Sequence, residues 1–332
     1  MCPLLLESLG NRPVPHTPPR SRANRGWRVN TLEPPYRFIR KGLGSGEVIP
    51  FLGAGASLGA TIVDPSPDTD DFVALPSGGQ LAERLALEGN FPKTEEPNLA
   101  SVAQYFEDVA AGRQALYEEL RTVFTRQYEP SRIHRHLAGL PGPLLIVTTN
   151  YDDLIETAFR EADRPFDLVI HTTDPALGEQ LLWWEQGAAD PATVVPNKLD
   201  IDLETNTVIY KMHGAVDRLV ATRDQYVITE DDYVDFLTRL IKQEAFPSIF
   251  AEPFQTRHFL FLGYGLRDWN FRVILNRVEK DLRQGPESAA DNLRSWAIDA
   301  SPSMLETRLW QGRGVEIYKM AIDDFLDGLA AA

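Results

Sequence analysis

The run VIPFLGAGAS, residues 48–57, sets five apolar residues directly against a glycine-rich turn. A strand buried on both faces reads as a continuous apolar run rather than an alternation. A glycine turn between such a strand and a helix brings backbone N–H groups close to a pyrophosphate. Gly53 and Gly55 meet the first two requirements of that turn, Ala54 lies between them, and Ser57 adds a hydroxyl. The run departs from G-x-G-x-x-G, because Leu58 holds the third glycine position and Gly59 follows. A tight strand-to-helix turn with no ligand would use the same residues.

Working outward, the same pattern recurs five times. Leu144 to Val147 runs into Thr148-Thr149-Asn150-Tyr151-Asp152. Thr207 to Lys211 ends at Met212-His213-Gly214, and His258 to Leu262 at Gly263-Tyr264-Gly265. Trp296 to Asp299 and Val315 to Lys319 read as the last two strands. Buried strands interleaved with helical patterns predict an α/β fold with a Rossmann-like, doubly wound parallel sheet. Every distinctive turn falls at a strand's C-terminal end, the edge where such sheets bind ligands. Residues 79–140 instead carry helical spacing, as at Leu116, Leu120, Val123 and Phe124, and read as a small helical insertion. A second insertion spans about 171–206. Residues 1–40, basic and proline-rich, read as a disordered tail, which leaves 41–332 as the folded domain.

Composition narrows the function classes. The 332 residues carry a formal net charge of −15, which argues against direct nucleic-acid binding. Residues 1–41 hold eight Arg and Lys against Glu7 and Glu33, a local net of +6, so the remainder carries about −21. The single cysteine, Cys2, excludes an intrachain disulfide and a cysteine-rich zinc site. No apolar run approaches the roughly 18 residues of a membrane span. Leu4-Leu5-Leu6 is too short for a signal-peptide core, so the expected location is cytoplasmic.

Several candidate residues have bland readings as well. Asp152 or Asp153 can cap the helix through Leu154, Ile155 and Phe159. That leaves two threonines and Asn150 crowded at one strand end without explanation. His213 ends a buried strand beside Gly214, where a histidine can equally be a satisfied core residue. His134 and His136 lie two apart on a helical pattern and face different ways, and His171 and His258 have no motif around them. No histidines are spaced for a metal site. Asp268 reads as a helix N-cap, and Thr229 with Asp232 as a capping box.

The order of motifs resembles the sirtuin, or SIR2-like, family. GAGAS at 53–57 is similar to its phosphate-binding turn, TTNYD at 148–152 to its Asn-x-Asp element, KMHG at 211–214 to its histidine motif, and FLGYGLRD at 261–268 to its third nucleotide-contacting loop. More narrowly, the chain looks like the SIR2-like domains of bacterial NAD⁺-depleting antiphage defence systems. The resemblance covers about residues 41–332. Two departures stand out. The four-cysteine zinc module of sirtuin deacylases is missing between Ala215 and Leu262, and Leu75 to Gly79 stands near the place of the family's Asp-Phe-Arg segment.

What the resemblance implies is an NAD⁺ hydrolase that releases nicotinamide, with NAD⁺ as substrate and no metal. Asn150 and His213 would be catalytic, Asn150 orienting the ribose and water and His213 acting as base. Gly53, Ala54, Gly55 and Ser57 would hold the pyrophosphate, with Thr149 and Gly214 also lining the site. Asp152 would shape the nicotinamide pocket, and Gly263, Tyr264 and Gly265 would meet the adenosine side. The alternatives are an NAD⁺-dependent deacylase or ADP-ribosyltransferase, and a non-enzymatic nucleotide or ADP-ribose sensor. An unregulated NAD⁺ hydrolase would be toxic, and the domain fills the chain to its end. Control is therefore expected from homo-oligomerisation or a separate activating partner, an ATPase or a nucleic-acid-guided protein.

Overall fold

Alternate residues of the first strand face opposite ways, and each face has its own layer of helices. The computed structural model describes residues 33–63, 74–242, 246–264 and 294–332. The first strand, β1, is Val48–Leu52, and β2 is Leu145–Thr148. Next along the chain come β3 (Asp167–His171), β4 (Leu181–Trp184), β5 (Ala192–Val194) and β6 (Val208–Lys211). A short pair, β7 (Gly214–Ala215) and β8 (Gln225–Tyr226), stands apart, and β9 (His258–Leu262), β10 (Ser295–Asp299) and β11 (Val315–Lys319) follow. The large sheet runs β11-β10-β9-β1-β2-β6-β3-β4-β5. All pairings from β11 to β3 are parallel, whereas β4 pairs antiparallel with both its neighbours.

Val48 and Leu52 of β1 pack with Ile146, Ile209, Leu260 and Ile298 under helices of one layer. Those helices are α1 (Tyr36–Gly44), α6 (Arg132–Ala138), α7 (Leu154–Glu161) and the C-terminal helix Ile322–Ala331. Ile49 and Phe51 point the other way, into a cluster with Val147, Tyr210 and Phe261. Phe236 of α8 (Glu230–Lys242), Phe254 of α9 (Ala251–Thr256) and Trp310 of α10 (Met304–Gln311) cover that face. This is the Rossmann-like, doubly wound arrangement, with helices on both faces of a mostly parallel sheet.

Between β1 and β2 the chain forms α2 (Ala54–Ser57), α3 (Gly78–Glu88), α4 (Leu99–Tyr105), a π-helical turn at Phe106–Ala110, and α5 (Arg113–Phe124). Ser77 starts α3 with a capping box, its Oγ accepting from the Gln80 N–H. Leu85, Phe106, Leu116, Leu120 and Phe124 share a core that also takes in Tyr151 and Tyr226. The helices are thereby tied to the segment that follows β2. At Thr229 and Asp232 the capping box is present, with both reciprocal hydrogen bonds.

Three features depart from the sequence reading. Helix α1 begins at Tyr36, inside the stretch assigned to the tail, and buries Ile39 and Leu43 completely or nearly so. Its i, i+4 apolar pair crosses the boundary that composition suggested, and Pro34 and Pro35 precede the first turn, where proline is tolerated. Three strands of the large sheet, β3, β4 and β5, and the short pair β7 and β8 escaped the sequence reading, and β4 breaks the all-parallel expectation. The remainder of the tail, residues 1–32, lies outside the described residues.

Candidate active site

The chain's two directions of travel across the sheet diverge at β1, which has β9 on one side and β2 on the other. That switch point places the ends of β1, β2, β9 and β6 along one edge, the position where open α/β sheets bind ligands. Gly53 follows β1, Thr149 and Asn150 follow β2, Gly263 follows β9, and His213 lies two residues past β6.

The first and third loops are zipped together. The Gly53 N–H donates to the Leu262 carbonyl at 3.1 Å, and the Gly55 N–H to the Gly263 carbonyl at 2.8 Å. A Cβ on Gly55 would lie 2.6 Å from Gly263 Cα, and one on Gly263, where φ is +61°, would lie 2.3 Å from Ala56 N. Glycine is needed at both positions because two backbones touch there. Tyr264 turns its ring inward, edge-on to Phe51 at 4.8 Å. Gly265 and Asp268 lie outside the described residues.

Asn150 joins this junction to the second loop. Its Nδ2 donates to the Gly53 carbonyl and to Ser57 Oγ, each at 3.0 Å. Because the Gly53 carbonyl can only accept, the amide orientation is fixed and Oδ1 is left as the group able to take a donor from a ligand. Ser57 Oγ then donates to Asp152 Oδ2 at 3.0 Å, and the other Asp152 oxygen accepts the Leu154 N–H. Asn150, Ser57 and Asp152 thus form one chain of hydrogen bonds, all of them buried. The backbone is held from both sides: the Asn150 N–H donates to Thr148 Oγ1, and the Thr149 N–H to the Leu52 carbonyl. Tyr151 points away, its hydroxyl on the Val227 carbonyl and its ring against Phe124 and Tyr226.

His213 is buried at the same edge, edge-on to Tyr233 and Phe236 of α8. Its carbonyl accepts the Val227 N–H. Gly214, at φ +87°, lets β7 lie against β8, since a Cβ there would meet the Gln225 carbonyl at 2.1 Å. The sequence reading made His213 the one histidine at the end of a buried strand, but His171 also ends one, β3. His171 packs on Phe236 at 5.0 Å, and burial lowers its pKa to about 3. His134 is hydrogen-bonded to Ser131 within α6 and its N-cap, and burial likewise lowers it to about 3.

Beneath the Asn150 loop lies a pair that sequence reasoning missed. Lys211, the last residue of β6, is fully buried with its Nζ 2.8 Å from Glu156 Oε1, and Glu156 is almost as buried. The same ammonium donates to the main-chain carbonyl of Asp152. Burial raises the Asp152 carboxyl to about 6; Lys211 opposes that rise, as do the Leu154 and Ser57 hydrogen bonds, while Glu156 adds to it. A lysine inside the apolar run VIYKM was the available signal, because a charge there must have a buried partner.

A family model described as the SIR2-like domain matches residues 144–318. An NAD(+) hydrolase, ThsA of Enterococcus faecium, is 29% identical over 238 residues, covering 70% of this chain and 40% of that protein. The ThsA of Acinetobacter baumannii is 31% identical over 217 residues, 62% of this chain and 36% of that one. Defense-associated sirtuin 2 of Bacillus subtilis is 24% identical over 249 residues, 71% of this chain and 20% of its own length. The chain therefore spans about two fifths or less of these relatives. With more than half of its residues inside the family model, and with the glycine turn, the Asn150 loop and His213 brought to one sheet edge, the chain belongs to the SIR2-like domain family.

Proposed function

We propose that this chain hydrolyses NAD⁺ to nicotinamide and ADP-ribose as an NAD⁺-depleting effector of antiphage defence. The observation that carries the reading is the Asn150–Ser57–Asp152 chain, buried at the switch point with Asn150 Oδ1 still able to accept. The names of the relatives, NAD(+) hydrolase and defence-associated sirtuin, support it.

In the reaction water replaces nicotinamide at the anomeric carbon of the ribose. The glycosidic bond breaks with its electron pair leaving on the neutral nicotinamide, and the water loses one proton. No general acid is required at the leaving group, so the work of the site is to hold the ribose and to place the nucleophile. Asn150 Oδ1 orients a ribose hydroxyl or the water, and His213 takes the proton. Asp152 shapes the nicotinamide pocket. The loops at Gly53 to Ser57, with Thr149, Gly214, Gly263 and Tyr264, line the rest. Homo-oligomerisation, a separately encoded activating partner and a cytoplasmic location belong to the same proposal, since free NAD⁺ hydrolysis would be toxic.

The test is to incubate purified protein with NAD⁺ over a concentration series that drives self-assembly, and to identify the products by mass. Nicotinamide and ADP-ribose without any acyl-peptide are expected. Nicotinamide release only on addition of an acyl-lysine peptide would overturn the proposal in favour of deacylation.

A further inference from the structure

A buried Lys–Glu pair is an expensive way to fill space. The desolvation of two charges commonly matches or exceeds their attraction, so apolar residues of similar volume often serve stability as well or better. Lys211 and Glu156 are nevertheless buried together under the Asn150 loop, and the ammonium makes a second contact with that loop, at the Asp152 carbonyl. Any buried ammonium needs acceptors for its three N–H donors, and here the second acceptor is a backbone carbonyl of that same loop, so the pair is tied to the loop by its main chain. Glu156 Oε2, by contrast, has no hydrogen-bond partner among the described residues, so the pair is not arranged for mutual satisfaction.

We infer that Lys211 is a positioning residue for the reaction, holding the Asn150–Asp152 loop by its main-chain carbonyl at Asp152, with Glu156 as the opposing charge that anchors the ammonium. The inference rests on the reading of Asn150 and Asp152 as the NAD⁺ site. It extends that reading to residues that touch no substrate. Ionised Asp152 accepts two hydrogen bonds, from Ser57 Oγ and the Leu154 N–H. Accepting from Ser57 orients that hydroxyl, so that its lone pair faces Asn150 Nδ2. Protonation of Asp152 would release that orientation, and through it the aim of Asn150.

The groups facing Asp152 come from four directions: Ser57 of α2, Glu156 of α7, Lys211 of β6, and Tyr128 before α6. His134 of α6 feels Lys211 as well but is held neutral by burial. Lys211 and Glu156 push Asp152 in opposite directions. Removing the ammonium should move its titration up, and removing the Glu156 charge should move it down. A purely structural pair would loosen the site in the same sense from either side.

The experiment labels aspartate carboxyls with ¹³C in the full chain, assigns Asp152 by the Asp152→Asn variant, and follows its titration by NMR. Lys211→Met is expected to raise the midpoint by about one pH unit or more, and Glu156→Gln to lower it. The acid limb of the pH profile for nicotinamide release should follow in each variant. Because Lys211→Met leaves Glu156 buried and unpaired, a second variant, Lys211→Met with Glu156→Leu, guards against loss of the fold. It should fold, and its kcat should fall at least tenfold with KM nearly unchanged. Displacements of the same sign, no displacement, or wild-type kcat in the folded double variant would overturn the inference. If the wild-type chain releases no nicotinamide, the reading of the site falls and the positioning role with it, while the titrations, which need no NAD⁺, still decide whether the pair is coupled to Asp152.

Discussion

Both N–H bonds of the Asn150 side chain are spent inside the protein, on Gly53 and on Ser57, and only its oxygen is left for a ligand. Truncation therefore does two things. Asn150→Ala removes the acceptor that aims at the ribose, and it takes one hydrogen bond each from the Gly53 carbonyl, which keeps the Ala56 N–H, and from Ser57 Oγ, which keeps Asp152, at about 1 kcal/mol for each bond lost. Nicotinamide release should fall at least about a hundredfold, with a modest drop in melting temperature, measured by product assay and calorimetry. From sequence alone, the same change looks free of any packing cost. His213→Ala should abolish turnover too, while His134→Gln, linked to the glycine turn only through Ser131 Oγ, should keep most of it. An active Asn150→Ala variant would remove the residue on which the site is built. Asn150 drew notice because helix capping leaves it unexplained at the tip of a buried strand, whereas Asp152 had an ordinary reading as a cap, and its Oδ1 does accept the Leu154 N–H. Lys211 did carry a signal, a charge inside the apolar run VIYKM, but its partner Glu156 lies on another element, so the identity of the partner was not legible.

At the scale of elements, the weld between the β1 and β9 turns is what gives the edge its shape. Gly263 approaches Gly55 and Ala56 so closely that no side chain fits, and its φ of +61° adds strain for any other residue. Gly263→Ala should force the two loops apart, lowering the melting temperature and weakening NAD⁺ binding together. By contrast Gly59→Ala, which also has positive φ but meets nothing within 4 Å, should cost only backbone strain and leave binding alone. Isothermal titration and thermal melts of the two variants separate these outcomes; equal effects would show that contact at the weld is unimportant. Of the six strands read from sequence, five carry a continuous apolar run, while β11, which closes the sheet, is interrupted by Glu316. Of the missed strands only β5 lacks an apolar run, with Ala192 and Thr193 exposed; β3 and β4 carry short ones, LVI and LLWW, inside the stretch read as an insertion from about 171 or just before it.

For the whole molecule, stability should depend on pH through groups that burial has displaced in opposite directions. His134 and His171 titrate near 3 in the folded chain, against 6.5 as free side chains. Each is neutral when folded, so each contributes stability that is complete above pH 6.5 and lost as pH falls toward 3. Asp152 behaves inversely, since its folded value of about 6 lies above its ordinary 3.8. Its burial is least costly at low pH, and the cost appears as pH rises through 6. From pH 7 to 5 the two histidines act against the one carboxyl, and the protein should lose stability. His171 permits a clean test, because its Nδ1 has no hydrogen-bond partner among the described residues and its ring lies edge-on to Phe236, where a phenyl ring fits as well. His171→Phe removes one of the two protonation penalties, roughly 1.4 kcal/mol for each pH unit below 6.5. Between pH 7 and 5, chemical denaturation should therefore show the variant losing about 2 kcal/mol less than the wild type. Equal losses would mean that His171 is already solvated or charged in the folded chain. In that case the edge formed by His171, Phe236 and His213 would be open to water rather than closed.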